Sequence, residues 1–244
     1  MYDNKHDFVA EYGKELLELL PDHRHLAVLD LGCGTATLTA QLAGRYDKVT
    51  GVDSSQEMLD KARAQFGNIE FRLCDALDLP FANEFDIVFS NAVFHWISDH
   101  DLLLKNVYRV LKPHGFLVCE FGAHGNIAAI EKAFAKACRE LGYDYKSKFY
   151  FPKIETFGRR LKENGFVIDR IDDYDRPTVL KDCERGLANW IKQFFALEME
   201  EMPAHIQGMV LERVEGLTRD TLWNGKEWVA DYRRLRAIAH INKA

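Results

Sequence analysis

The sequence predicts an α/β protein, a mostly parallel sheet with helices packed on its faces. Three observations lead there. Strand-like apolar runs alternate with stretches of helical periodicity through the first half of the chain. The first of these runs ends in a glycine turn that opens at once into a helix, at Asp30-Leu31-Gly32-Cys33-Gly34-Thr35. The first four runs each end in an acidic or amide residue, where open α/β sheets gather their ligands.

The elements follow in order. A helix over 8–20, with Leu16, Leu17, Leu19 and Leu20 on its apolar side, stops at Pro21. Strands are predicted over 26–31, 48–52, 69–73, 85–89 and 116–121, with helices over 35–43, 55–66 and 101–111 between them. Ser54 and Glu57 have the spacing of a capping box for the second of those helices. Lys112-Pro113-His114-Gly115 reads as the turn that ends the third helix and launches the fifth strand. The second half is less regular. Helices are expected over 127–141 and over 155–163, the latter ended by Asn164-Gly165, and a strand over 166–172. Further helices fit 183–196 and 205–215, where Trp190, Phe194 and Phe195 sit at helical spacing and read as cap core. The stretch 228–241 is strand-like, although Arg233, Arg234 and Arg236 are unusual in a strand. This gives one domain over 1–244. Its cofactor-binding half covers 1–122, helical cap insertions cover 123–165 and 176–225, and a final strand region covers 226–244.

With 244 residues, 47% of them hydrophobic, the chain has apolar material for one sizeable core. A net charge of -6 leaves no electrostatic footprint for nucleic acid or an anionic membrane. No run is long and apolar enough to span a bilayer, and Met1 to Asp7 lacks the basic-then-apolar pattern of a signal peptide. The five cysteines are scattered, odd in number and without a CxxC pair, which favours a reducing, cytoplasmic compartment. The histidines and carboxylates lack ligand spacing, so no metal is expected.

Glycines at 32 and 34 let the backbone turn sharply and let a ligand approach it, and the helix beyond offers free N–H groups to an anion. A dinucleotide site wants a third small residue five positions after the first glycine, where this chain has Thr37. Asp30, two places before the first glycine, repels phosphates and pairs with an ammonium. The turn therefore suits the zwitterionic amino-acid half of S-adenosylmethionine better than a pyrophosphate. Asp53 lies 53 − 32 = 21 residues after Gly32, at the end of the second strand, where an acid hydrogen-bonds ribose hydroxyls. Asp75 and Ala76 follow the third strand, within reach of an adenine edge, and Asn91 closes the fourth.

At this point the chain resembles the class I S-adenosylmethionine-dependent methyltransferases. The segments that carry the likeness are DLGCGTATLT (30–39), GVDSSQEML (51–59), CDALDLPF (74–81), FDIVFSNAVFHWISD (85–99) and LKPHGFLVCEFG (111–122). One departure is Ala36, where the family most often has a third glycine. The resemblance implies a Rossmann-like, doubly wound, seven-stranded sheet. It implies that Asp30, Gly32 and Gly34, with Cys33 between them, hold the methionine part of the cofactor. Asp53 and its neighbour Ser54 would take the ribose, Met58 would pack on the adenine, Asp75 and Ala76 would meet its edge, and Asn91 would floor the sulfonium. The product would be S-adenosylhomocysteine. Asn91-Ala92-Val93-Phe94-His95-Trp96 is similar to the branch that contains trans-aconitate, malonyl-carrier-protein and juvenile-hormone acid methyltransferases, which make methyl esters. His95, the best candidate for a catalytic role, and Trp96, His6 and Tyr12 are then expected to face a small-molecule acceptor. Arg176, Lys181, Arg185 and Lys192 in the cap region are candidate cations for an acid. Absence of an Asn/Asp-Pro-Pro-aromatic box and of a Pro-Cys nucleophile disfavours methylation of adenine or cytosine. A cofactor-binding protein without transfer and a nucleotide oxidoreductase are the competing readings.

Overall fold

In the computed structural model, residue 13 and residues 15–243 are described. The fully buried run Ala27–Leu31 forms strand β1, whose neighbours on both sides are parallel: β2 (Lys48–Asp53) and β4 (Phe85–Asn91). β3 (Glu70–Leu73) adds to β2, and β5 (Leu111–Gly122) to β4, again in parallel. Helices α1 (Thr37–Ala43), α2 (Gln56–Gln65) and α3 (His100–Val110) make the crossovers. The chain continues through α4 (Ala128–Glu140), α5 (Ile154–Glu163), β6 (Phe166–Asp175) and β7 (Thr178–Val179). It then runs through α6 (Gly186–Phe194), α7 (Ala196–Glu200), α8 (Ala204–Leu222), β8 (Val229–Ala230) and β9 (Arg233–Ile241). The seven-stranded sheet has the order β3-β2-β1-β4-β5-β9-β6, so the last strand is inserted between two earlier ones. This is the doubly wound, mostly parallel architecture expected.

The chain divides into two compact units. The first comprises the sheet-forming chain up to Ala123, Phe149–Asp173 and the chain from Leu235 on. Its main core packs Leu29, Leu31, Val88, Leu117 and Phe121 of the sheet with Leu103, Val107, Phe157 and Leu161 of α3 and α5. The opposite face buries Val28, Ile87, Phe89 and Val118 against Leu16, Leu17 and Leu20. The second unit, His124–Lys148 and Tyr174–Arg234, contains α4, α6, α7, α8 and the antiparallel pair β7–β8. Within it Phe134 stacks on Phe195 at 4.3 Å, and Trp190 donates its ring N–H to the Tyr232 hydroxyl at 2.6 Å; Trp190 and Phe195 are buried, whereas Phe194 is half-buried. Among the described residues no helix is long and apolar enough to cross a membrane, and no group of His, Cys, Asp or Glu is arranged to hold a metal ion.

Several boundaries differ from expectation for identifiable reasons. Ser55, not Ser54, caps α2, its Oγ accepting from the Met58 N–H at 3.3 Å. Lys112–Gly115 does not precede β5 but bulges out of it. The register jumps from Phe85↔Leu111 to Ile87↔Phe116, His114 takes a left-handed φ of 62°, and Lys112 pairs with Asp86 at 2.7 Å. The helix expected to end at 215 runs on to Leu222, because Val210, Val214, Thr218 and Leu222 repeat every four residues and are all buried. The stretch over 228–241 is broken into β8 and β9.

The arginines of β9 are explained by what they meet. Glu120 on β5 is buried and paired with Arg236, whose Nε and Nη2 both lie 2.6 Å from Glu120 Oε2, with Glu15 at 3.3 Å. A buried ion pair is tolerated only when its partners stay together. Replacing Arg236 by Met should destabilise the protein by about 3–5 kcal/mol, since the buried Glu120 carboxylate loses the guanidinium paired with it, whereas Met at both 120 and 236 should restore most of the loss. Urea unfolding of the two variants at neutral pH is the check; equal stability of Arg236→Met and the parent would refute the pairing.

Candidate active site

The glycine turn is built by the end of β2. Because β1 and β2 are parallel and in register at Leu31↔Val52, the N–H groups of Gly32 and Cys33 both donate to the Val52 carbonyl, at 2.8 and 2.9 Å. The chain then curls so that the Gly34 N–H donates to Asp53 Oδ2 at 2.9 Å, while Asp53 Oδ1 accepts from the Ser55 N–H at 2.9 Å. One carboxylate thus ties the turn to the start of α2. A carboxylate offers about four acceptor sites, so Asp53 retains capacity for a further donor pair such as ribose hydroxyls. Ser54 lies between the two anchoring contacts, and Met58 is half-buried in the first turn of α2.

The two glycines differ. Gly32 has φ 78°, and a Cβ there would run into the Val93 side chain. Its bareness serves packing against the segment after β4. Gly34 has φ 54°, and a Cβ would meet nothing within 4 Å, so this is the glycine that faces open space. The Cys33 sulfur packs over Gly51 beside Phe71, in a cluster with Leu59 and Ala62, and burial pushes its thiol pKa up. Only the Cys33 backbone belongs to the turn. Ala36, the position where glycine was expected, holds a left-handed φ of 68° at the N-terminus of α1, a conformation that disfavours a Cβ.

Asp30 is buried beneath the turn, where Thr39 Oγ1 donates to it at 2.7 Å. Burial raises its carboxyl from 3.8 to about 7; the Thr39 bond works against this and the nearby Asp53 charge adds to it. The tip of β3 is tied to the same acid, since the Cys74 N–H donates to the Asp53 carbonyl at 3.0 Å. Asp75 beyond it is exposed and accepts from the Leu77 N–H at 2.8 Å, and Ala76 is half-buried. At the tip of β4, Ser90 Oγ donates to the Leu31 carbonyl, Asn91 aligns with Glu120, and the Ala92 N–H donates to the Glu120 carbonyl at 2.7 Å.

Beyond Ala92 a short 3₁₀ turn, Phe94–Trp96, carries the next two expected residues. His95 is buried, and its Nδ1 accepts the Gly122 N–H at 3.2 Å; Trp96 is 45% exposed. His100 supports the turn from below. Its Nε2 donates to the Phe94 carbonyl at 2.9 Å, which leaves Nδ1 as a bare buried acceptor. Burial among rings lowers the His100 pKa to about 4, so it stays neutral. The structure thus brings Gly32, Cys33, Gly34, Asp53, Asp75 and Asn91 to the adjoining carboxyl ends of parallel strands, with Asp30 behind them and His95 and Trp96 beyond. His6 and Tyr12 lie outside the described residues. Of the cap cations, Arg176 donates to the Tyr174 hydroxyl at 2.9 Å, while Lys181, Arg185 and Lys192 are exposed. Sequence reasoning missed Glu120, Arg236, Phe149 and Phe151. A lone Glu inside the apolar run 116–121 was the available signal for the first pair.

Comparison with known proteins agrees with this geometry. The family profile described as "Methyltransferase domain" matches residues 29–119. An uncharacterized methyltransferase of Schizosaccharomyces pombe is 31% identical over 252 residues, covering 98% of this chain and 95% of the relative. A trans-aconitate 2-methyltransferase of Deinococcus radiodurans is 40% identical over 120 residues, 48% of this chain and 46% of the relative. Among solved structures, the YcgJ protein of Bacillus subtilis superposes with a TM-score of 0.68 at 18% identity, covering 98% of this chain and all of that one. A glycine turn clamped by the acid at the end of β2, on a sheet of this order, and a full-length methyltransferase relative lead to one conclusion: the chain belongs to the class I S-adenosylmethionine-dependent methyltransferases.

Proposed function

We propose that this enzyme transfers the methyl group of S-adenosylmethionine to a carboxylate oxygen of a small-molecule acid. The observation that carries the reading is the bond from the Gly122 N–H to His95 Nδ1. A histidine whose Nδ1 accepts a backbone N–H keeps its ring proton on Nε2. With Nδ1 occupied by that bond and Nε2 carrying the proton, His95 has no lone pair with which to take a proton from an acceptor. A carboxylate needs no base, because it is ionised well below neutral pH. The similarity to a trans-aconitate 2-methyltransferase over 48% of the chain supports the same class.

The cofactor fits the groups present. Gly34 leaves room for a ligand to approach the backbone, and Asp53 keeps acceptor capacity for ribose hydroxyls. Asp30 is the anionic group for the ammonium, Met58 and Ala76 the apolar walls for adenine, and Asp75 the acceptor at its amine. Ser54 and the Cys33 backbone complete these two turns, and Asn91 floors the site. When bound, the cofactor supplies a methyl carbon already activated by its sulfonium. The protein's own work is alignment, which can contribute about 7–11 kcal/mol to lowering the barrier. His95 and Trp96 position the acceptor.

Three measurements test this reading. A panel of acids, amines, thiols and phenols, followed by mass spectrometry, should yield methyl esters; methylation confined to nitrogen, sulfur or carbon overturns the acid reading. Gly34→Ala should still fold, with a strain of about 1–2 kcal/mol from the left-handed backbone. It should lose at least about tenfold in S-adenosylhomocysteine affinity by calorimetry, equivalent to about 1.4 kcal/mol. Gly32→Ala should lower the melting temperature further, through the Val93 overlap, and equal behaviour of the two variants would remove the distinction between them. Finally, Asp30 titrates near pH 7 in the free protein, and an ammonium beside it favours the carboxylate. Ligand binding at that pH should then release a proton, seen as buffer-dependent binding enthalpy that disappears in Asp30→Asn. Proton uptake, or the same buffer dependence in the variant, would count against the ammonium role.

A further inference from the structure

The turn that follows β4 meets a second aromatic segment within the first unit. The Tyr150 N–H donates to the His95 carbonyl at 2.9 Å, pinning residues 149–151 alongside the turn. The side chains of that segment alternate. Tyr150 points to the interior, edge-on to His100 at 4.8 Å, with the Arg160 guanidinium 5.4 Å from its ring. Phe149 and Phe151 take the other side, as residues two apart do on extended chain, and stack on each other at 5.5 Å and 15°. There Phe149 meets Trp96 at 4.8 Å, and His95 lies 5.8 Å from Phe151 and 5.6 Å from Trp96. Four rings therefore form one continuous face, in which Phe149 and Phe151 are only partly buried and Trp96 keeps 45% of its surface exposed.

A face of this kind recognises flat apolar matter. It is poorly suited to a compact polycarboxylate, whose several charges each need a cation when desolvated. Among the described residues, the Arg160 guanidinium lies over Tyr150, on the opposite side from the Phe149 and Phe151 rings. The turn that carries His95 and Trp96 begins at Phe94, three residues after Asn91, the last residue of β4.

From these contacts we infer that Trp96, Phe149 and Phe151, with His95, form the recognition surface for the body of the acceptor, and that the acceptor is a monocarboxylic acid with a flat, unsaturated or aromatic body. The inference rests on the acid reading above for its reactive group and on the ring face for its body. It sets this chain apart from trans-aconitate methylation, which the similarity to trans-aconitate 2-methyltransferases would otherwise suggest.

The test is a binding titration of the full chain saturated with S-adenosylhomocysteine, comparing cinnamate with trans-aconitate by calorimetry. Cinnamate should bind at least about tenfold more tightly, the scale of one to two favourable ring contacts. Trp96→Ala should abolish that preference and Trp96→Phe should keep most of it, with thermal melts confirming that both variants fold. Tighter binding of trans-aconitate, binding of neither acid, or a preference that survives Trp96→Ala overturns the inference. Turnover separates it from the reading it rests on. If cinnamate binds through Trp96 but yields no methyl ester with S-adenosylmethionine, the acid reading fails while the recognition surface stands.

Discussion

The carboxylate of Asp53 holds the nucleotide end of this enzyme together before any ligand arrives. It accepts the N–H of Gly34 from one loop and that of Ser55 from another, and its own carbonyl receives Cys74 from a third. Charge-assisted hydrogen bonds of this kind are among the stronger ones. The side chain sets the tips of β1 and β2 relative to one another, and the main-chain carbonyl of the same residue holds the tip of β3. The geometry that would meet an adenosyl group is therefore built in advance and need not be ordered at the moment of binding. Asp53, proposed above to meet the ribose, is thus first of all structural, which gives one reason for an acid at the end of β2.

The other side of the site rests on buried polar groups that each have one task. Glu120 contributes its carbonyl to the Ala92 turn and its carboxylate to Arg236. His100 keeps one nitrogen for the Phe94 carbonyl and leaves the other bare, a penalty accepted in an otherwise aromatic setting. Each of these residues fixes backbone near residues 91–96, the segment proposed to present an acceptor. Apolar packing alone would leave that irregular segment with several arrangements of similar energy; directional bonds select one.

Much of the first unit was legible in the sequence. Strands β1, β2 and β4 were visible because buried parallel strands are written as short apolar runs, and their polar ends stood out against them. The glycine turn was legible as a turn, but the separate tasks of its two glycines were not, since Val93 is brought against Gly32 only by tertiary folding. The same holds for Arg236. Its guanidinium looks misplaced in a strand until the partner 116 residues earlier is known. Phe149 and Phe151 lie in a stretch without regular secondary structure, where periodicity offers no guide, and their shared face depends on a bond to a residue more than fifty positions away.

The insertion of β9 between β5 and β6 has a bearing on how the chain is made. A ribosome delivers β5, with its acidic Glu120, more than a hundred residues before the arginine that neutralises it. Throughout that interval the nascent sheet has an open slot lined by backbone groups and an unneutralised carboxylate. Only when the final strand takes its place does the sheet become continuous from β3 to β6, so the C-terminal strand is the piece that closes the sheet.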